Sequence, residues 1–315
     1  MAGIELYAPR TPRHRRTWTA AALVLAVVFI ILGQTFTAVP GLMLGFLTMN
    51  GQSVGWAGTA FSLFGFAATA LIVVGWVTLF ERRNLRTIGF NSQALKRFAR
   101  GYGVGLAFLL VVVGGIAALG GYRIEAGGAF STPAPLVALW PILVLLLGFV
   151  IQGSTEEILT RGWLMQVIAS RHGLAWGIGL SSALFGLLHA ANIKPSPELA
   201  VGVANVALFG VMIGLYAARE GSLWGVCGWH AAWNWLLGLG FGLEVSGQVV
   251  ETKPLIVDLA TRTEVPWWIT GAAFGPEGSV VTTVVLLVAS AVLALRWRSK
   301  DYGVTKPAAL ETAPA

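Results

Sequence analysis

The stretch LVALWPILVLLLGFVIQGSTEEILTRGWLMQVIA, residues 136–169, decides the class of this protein. A helix needs about 20 predominantly apolar residues to cross the hydrocarbon of a bilayer, and the run up to Gly153 approaches that length. The chain then passes through Glu156, Glu157 and Arg161 and becomes apolar again. Charges at membrane depth are costly and usually line a cavity. The stretch therefore predicts a membrane helix that carries a polar site.

The composition of the 315-residue chain also indicates a membrane protein. Hydrophobic residues make up 56% and charged residues only 11%, whereas an ordinary soluble domain carries about 25% charged residues. Such a chain cannot cover a globule with polar surface, which excludes a soluble domain and a disordered chain. The net charge is +7. In so apolar a chain, this excess of basic residues indicates cytoplasmic loops that lie beside anionic lipid, and not a surface that binds nucleic acid. The single cysteine, Cys227, excludes an internal disulfide.

Apolar segments of spanning length recur along the whole chain, and no segment alternates with a period of two over a strand length. The predicted fold is an all-α, polytopic transmembrane helical bundle of about eight spans. The predicted spans are Trp18–Val39, Ala57–Phe80, Gly101–Gly120, Leu136–Gly153 and beyond, Leu174–Ala190, Leu199–Ala218, Ser222–Leu243 and Ser279–Leu295.

The distribution of Lys and Arg predicts the orientation. Seventeen of the 21 would lie on the side of the two termini, and the other side keeps Arg123, Lys194, Lys253 and Arg262. This asymmetry places both termini in the cytoplasm of a plasma-membrane protein. The chain then divides into a basic cytoplasmic tail (1–17), N-terminal spans with a basic cytoplasmic loop at 81–100 (18–135), a helical core with the polar residues (136–243), an extracytoplasmic loop (244–278), a last span (279–297) and a cytoplasmic tail (298–315).

Polar residues on three of the predicted spans are candidates for catalysis. Glu157 and Arg161 are spaced i, i+4 and can pair on one helix face, whereas Glu156 points about 100° away and lacks that partner. An unpaired carboxylate in an apolar pocket suits a general base. His189 lies on the fifth span, about as far from the turn near His172 as Glu156, roughly 24 Å. His230 and Asn234 share a face of the seventh span; Gln152 and Asn192 are polar neighbours.

This set of residues suffices in principle for amide hydrolysis. A carboxylate can deprotonate water, and imidazole and amide groups can donate hydrogen bonds to a developing oxyanion. Other routes lack their residues: no His-Glu-x-x-His motif occurs, the only two Asp (Asp258 and Asp301) lie in loops, and no Ser stands in a Gly-x-Ser-Gly setting. A purely structural role for some of these residues stays open. Glu157 and Arg161 would then form an ion pair that holds two helices together, and Asn234 would form a hydrogen bond between helices.

Three ordered motifs resemble those of a known family. Glu156-Glu157-x-x-x-Arg161, Phe185-x-x-x-His189 and His230-x-x-x-Asn234 resemble the motifs of the CPBP family, the CAAX proteases and bacteriocin-processing enzymes also called Abi. The core of that family is similar to the type II CAAX prenyl endopeptidase. The resemblance covers about a third of the chain, roughly residues 136–243.

The resemblance implies an intramembrane glutamic endopeptidase that acts on membrane-associated or prenylated substrates. Glu156 would activate the water, His189, His230 and Asn234 would position it or stabilise the oxyanion, and Glu157 and Arg161 would order the site. The expected enzyme needs no cofactor, although Glu156, His189 and His230 are also a conceivable Zn²⁺ set. The alternatives are a zinc-dependent version of the protease and a transporter or immunity protein that uses the polar cluster.

The expected partners are membrane lipid and a membrane-bound or lipidated peptide, without nucleic acid; the sequence indicates no oligomeric state. We expect the site to open toward the cytoplasm or laterally to lipid.

Overall fold

The computed structural model describes residues 4–295. Within them, six helices are long and apolar enough to cross a membrane, which confirms the predicted polytopic helical bundle. They are Thr19–Met43 (α1), Gly55–Gly75 (α2) with a π-helical continuation Trp76–Phe80, Ala94–Ala118 (α3), Pro135–Glu157 (α4) continuing through the π-helical stretch Ile158–Leu164 into Met165–His172 (α5), Leu174–Leu188 (α6) and Pro197–Glu220 (α7).

The last two predicted spans correspond to shorter helices. Trp224–Trp235 (α8) has 12 residues and continues as the π-helical stretch Leu236–Gly240. It packs against α3 and α4 and is buried on almost every side, so its length is not set by bilayer thickness. The short helix Trp267–Thr270 (α9) precedes Val280–Leu295 (α10), which has 16 described residues. The predicted tail 298–315 and the end of the predicted span 279–297 lie outside the described residues.

Two short strands interrupt the helical pattern. Tyr122–Gly127 (β1) pairs antiparallel with Val257–Thr261 (β2), with an irregularity between Ile124 and Ala126. Part of the predicted loop 244–278 is thereby ordered against the α3–α4 connection. Hydropathy did not predict the strands because each has only five or six residues and depends on a partner far away in sequence.

One end of the bundle, which we call the basic end, gathers the segments 4–17, 81–93, 172–174 and 219–223. Backbone hydrogen bonds join Arg15 to Glu81 at 2.9 Å and Leu223 to Gly89 at 3.0 Å, and the Thr19 hydroxyl contacts His172 Nε2 at 2.9 Å. Helix α3 begins at Ala94, so the last residues of the predicted loop 81–100 are helical, because long basic side chains are good helix formers that stay at the surface.

The opposite end, which we call the distal end, contains the connections 44–54, 119–134, 189–196 and 241–279. Asn192 Nδ2 donates to the carbonyl of Ser246 at 2.9 Å, and Ala129 N donates to the carbonyl of Pro254 at 2.8 Å. These contacts, with the two strands, hold the long segment between α8 and α10 over the ends of the helices. The distal end is thus an ordered cover.

Small residues bring α3 and α8 into close contact. Gly101 lies directly against the backbone of Gly225, and Gly105 lies against the backbone of Trp229. Lipid is as apolar as the helix surfaces, so helices in a bilayer associate through close packing, and small residues let their backbones approach each other. The contact fixes α8, which carries two of the candidate catalytic residues, within the bundle.

Candidate active site

The two glutamates lie where α4 changes into a π-helical stretch. Their adjacent positions place them on different sides of the helix: the Glu157 side chain is 0% exposed, whereas that of Glu156 is 16% exposed. The Thr160 hydroxyl donates to the backbone carbonyl of Glu156 at 2.5 Å. Wider turns of this kind are frequent at functional sites. Here the turn separates a buried carboxylate from one that reaches a cavity.

Glu157 is the centre of a buried charge network. Its Oε1 accepts hydrogen bonds from Arg161 Nη1 at 3.1 Å and from His230 Nδ1 at 2.8 Å. Arg161 is also fully buried and donates to the Thr160 hydroxyl at 2.8 Å. The predicted i, i+4 pair therefore forms and also takes in a histidine from another helix. Because a carboxylate only accepts, Nδ1 of His230 carries the proton in this contact.

Aromatic rings complete the surroundings of Arg161. Its guanidinium lies 4.6 Å from the ring centroid of Phe185 and 5.7 Å from that of Phe209. Its Nε and Nη2 atoms have no hydrogen-bond partner among the described residues. Attraction between a cation and the faces of aromatic rings replaces part of the missing hydrogen bonding.

The two carboxylate oxygens of Glu156 differ in their hydrogen bonding. Its Oε1 accepts from Gln152 Nε2 at 2.7 Å, and the Gln152 oxygen in turn accepts from Asn234 Nδ2 at 2.9 Å. Its Oε2 lies 3.4 Å from His230 Nε2 and has no hydrogen-bond partner within residues 4–295. The hydrogen bond to Oε1 therefore holds the carboxylate in place, whereas Oε2 is buried beside His230 with its hydrogen-bonding capacity unused.

His189 follows α6 in a short 3₁₀ turn and is half-buried. Its Nδ1 contacts the carbonyl of Phe185 at 2.8 Å. A carbonyl accepts hydrogen bonds, so Nδ1 carries a proton and Nε2 is the ring atom left for other partners. The Phe185-x-x-x-His189 motif is thus one local unit: the carbonyl of its first residue sets the tautomer of its last.

All four candidate catalytic residues border one cavity of about 880 Å³. Glu156, His189, His230 and Asn234 line it, whereas the supporting residues Glu157 and Arg161 do not. Sequence spacing predicted this convergence, and the structure brings the residues together from α4, the end of α6 and α8. Gln152 also lines the cavity; its spacing of i, i+4 from Glu156 was the signal for its role in orienting the carboxylate.

The N-terminal segment reaches the site from the basic end, a contact that the sequence did not reveal. Tyr7 donates its hydroxyl hydrogen to the backbone carbonyl of Arg161 at 3.1 Å, and Leu6 N donates to Gln166 Oε1 at 3.1 Å. Burial raises the pKa of the Tyr7 phenol far above its ordinary value. Tyr7 therefore stays a donor at any working pH and supports the π-helical stretch.

The possible zinc ligands were compared with the grouping that a metal ion requires. Within residues 4–295, no three His, Cys, Asp or Glu side chains are grouped closely enough to hold a metal ion. The Nδ1 atoms of His189 and His230 are engaged by Phe185 and Glu157. These contacts leave Nε2 of each ring as the free atom, which is the usual arrangement in a histidine that binds a metal, so they leave the zinc-dependent alternative open.

The helical core matches a known protein family. Residues 138–236, from α4 to the end of α8, match the family model described as type II CAAX prenyl endopeptidase Rce1-like. None of the curated proteins compared with the chain matches it. The matched region, about a third of the chain, includes all the residues of the polar cluster. The core of this chain, residues 138–236, is thus similar to the Rce1-like type II CAAX prenyl endopeptidases, and this similarity indicates a membrane-embedded hydrolase of the CAAX-protease type.

Proposed function

We propose that this protein is an intramembrane endopeptidase of the glutamic type, in which Glu156 activates a water molecule for attack on a peptide bond. The observation that carries the proposal is the state of the Glu156 carboxylate. Gln152 holds its Oε1 at 2.7 Å, while Oε2 faces His230 and has no hydrogen-bond partner among the described residues. A general base must be fixed in position and must still reach the proton that it abstracts.

In the proposed reaction, a water molecule bound at Glu156 Oε2 loses a proton to the carboxylate as its oxygen bonds to the peptide carbonyl carbon. The carbonyl oxygen becomes an oxyanion. The protonated Glu156 then gives the proton to the peptide nitrogen, and the carbon–nitrogen bond breaks. A new carboxyl group and a new amine result, so water is the only co-reactant.

A hydrogen-bond donor from α8 supports the oxyanion, and an acceptor at the end of α6 supports the water. Asn234 uses one amide hydrogen for Gln152, and a second amide hydrogen is left for the cavity. His189 borders the same cavity; because its Nδ1 proton is donated to Phe185, Nε2 of the neutral ring accepts a hydrogen bond and can position the attacking water. Donors prepared for the charge that develops in the transition state are usually the largest single contribution to such catalysis.

Glu157 and Arg161 act as positioning residues. The hydrogen bond from His230 Nδ1 to Glu157, at 2.8 Å, orients the imidazole so that Nε2 lies 3.4 Å from Glu156 Oε2. Arg161 balances the charge of Glu157 in a region without solvent. This arrangement holds His230 in one tautomer beside the base.

Replacement of Glu156 tests the proposal. Glu156→Gln keeps the shape but removes the base, and general-base catalysis contributes about 10²–10⁴-fold. We expect proteolysis to fall by at least about 100-fold, measured as the loss of new peptide N-termini in membranes from cells that express the variant instead of the wild-type chain. The matched control is Glu251→Gln, an exposed carboxylate on the rim of the same cavity, which should leave cleavage unchanged.

Three results would contradict the proposal. Cleavage that persists in Glu156→Gln membranes would exclude Glu156 as the base. Loss of cleavage on metal removal, with stoichiometric zinc in the purified chain, would support the zinc-dependent alternative. If no peptide N-terminus depends on Glu156 while a transport or protection phenotype does, the non-proteolytic alternative is correct.

A further inference from the structure

The walls of the catalytic cavity come from one half of the bundle. Its rim is formed by the α1–α2 connection at residues 51–53 and by the segment 245–251, both in the distal end. None of the described segments that make up the basic end contributes a residue to its lining. The cavity therefore opens at the end of the molecule that lies opposite the basic segments.

The cavity ends inside the bundle before it reaches the basic end. At 1.5 Å per residue, its wall residue Trp229 in α8 lies about 9 Å from Leu223, and its wall residue Ile30 in α1 lies about 16 Å from the start of that helix at Thr19. Solvent that reaches Glu156 through this cavity therefore arrives from the distal end.

The protein below the site is closed. Arg161, Trp163 and Leu164 in the π-helical stretch are 0% exposed. On the side of the basic end, the N-terminal segment covers this stretch through the hydrogen bond from Tyr7 to the carbonyl of Arg161. A path from the basic end to Glu156 would have to cross these packed side chains.

The two ends carry different charges. Exposed basic residues such as Arg82, Arg86 and Lys96 lie at or beside the basic end, whereas the segment 244–278 at the distal end has five acidic and two basic residues. An excess of Lys and Arg marks the cytoplasmic face of a membrane protein. The basic end is thus the cytoplasmic end, and the distal end faces outward.

We propose that the catalytic cavity opens to the extracytoplasmic side of the membrane. Resting on the proposed proteolytic function, this names the class of substrate: peptide segments exposed at the outer surface, such as the juxtamembrane ends of membrane proteins and exported peptides. Cytoplasmic prenylated C-termini would meet the closed end. In this fold the N-terminal segment and the opening of the cavity lie at opposite ends, so a cytoplasmic N-terminus requires an opening on the other side of the membrane, in place of the expected opening toward the cytoplasm or laterally to lipid.

Cysteine labelling in the full-length chain tests the direction of access without any need for activity. Gln52→Cys lies on the exposed rim, Ser62→Cys on the cavity wall in α2, and Ser92→Cys in the exposed loop of the basic end. The native Cys227 is buried, so the wild-type chain serves as the unlabelled control. The probe is a small, membrane-impermeant sulfonated thiosulfonate applied to intact spheroplasts and to permeabilised ones.

We expect Gln52→Cys and Ser62→Cys to react in intact spheroplasts and Ser92→Cys to react only after permeabilisation. Reaction of Ser92→Cys in intact spheroplasts would overturn the orientation. Reaction of Ser62→Cys only after permeabilisation would overturn the outward opening. Failure of Ser62→Cys to react under either condition would show that the cavity is closed to water, which also overturns the proposal.

The position of cleavage sites tests the substrate class. We expect the new N-termini that disappear in Glu156→Gln membranes to lie in outward-facing segments of membrane or exported proteins. Sites in cytoplasmic segments would overturn the substrate assignment while leaving the glutamic mechanism intact. Conversely, loss of the mechanism would not alter the labelling pattern, so the two proposals fail separately.

Discussion

At the scale of single residues, Gln152 joins the candidate base to the candidate oxyanion donor. Its amide is hydrogen-bonded to both Glu156 and Asn234. Gln152→Leu should destabilise the protein by about 1–3 kcal/mol because it leaves the Asn234 amide without its acceptor in a buried site. The double variant Gln152→Leu with Asn234→Leu should lose less stability than the sum of the two single variants, with a coupling energy of about 0.5–3 kcal/mol. Thermal unfolding in detergent micelles measures both.

The control for this cycle is Gln34→Leu. Gln34 lines the same cavity from α1 and makes no side-chain hydrogen bond to the described residues. We expect its replacement to change the unfolding temperature little and to show no coupling with Asn234→Leu. Strict additivity of Gln152→Leu and Asn234→Leu would mean that the hydrogen bond between them is not formed in solution.

Arg161 provides a second residue-scale prediction. Both partners of the Arg161–Glu157 pair are 0% exposed, and removing one partner of such a pair typically destabilises a protein by about 3–5 kcal/mol. Arg161→Met should therefore lower stability strongly. Arg161→Met combined with Glu157→Gln should recover part of the loss, because no uncompensated charge is left. Equal destabilisation of the single and double variants, measured by denaturant unfolding in micelles, would contradict this account.

At the scale of elements, the contact between α3 and α8 positions His230 and Asn234. Gly101 lies against the backbone of Gly225, whereas nothing lies within 4 Å of the position of a side chain at Gly103. Gly101→Ala should cost about 1–3 kcal/mol because the helices must separate. Gly103→Ala in the same helix should be neutral or stabilise by up to about 1 kcal/mol through helix propensity. Unfolding temperatures of the two variants make the comparison, and equal values would exclude close packing as the reason for Gly101.

At the scale of the whole molecule, the bundle has an apolar girdle and two unlike ends. Large exposed apolar side chains such as Phe36, Leu71, Leu143 and Val288 face outward from four different helices, which identifies lipid as their surroundings. At the basic end, Glu81 and Arg83 form a buried ion pair at 2.8 Å, and the N-terminal segment packs beneath the site. The distal end instead borders the catalytic cavity. This polarity decides which face of the membrane supplies water and substrate in the proposed reaction.

The membrane class, most of the helices and the polar residues of the site are readable from the sequence alone. Apolar runs report burial in lipid directly, and the spacing of Glu157 and Arg161 predicts their pairing because i, i+4 neighbours meet on one helix face. The α3–α8 interface, which depends on glycines, and the two strands were not predictable in the same way. Each depends on segments far apart in sequence, and neither leaves a long periodic pattern.

Tertiary structure alone decided how the polar residues share their hydrogen bonds and where the cavity opens. Spacing along a helix shows that Glu156 and Glu157 diverge, but only the packing of α8 against α4 assigns His230 Nδ1 to Glu157 and Asn234 to Gln152. Likewise, hydropathy predicts that 244–278 lies outside the membrane, but only the fold brings 245–251 to the rim of the cavity. Local composition determines which side chains are buried, whereas contacts between distant segments determine which atoms meet.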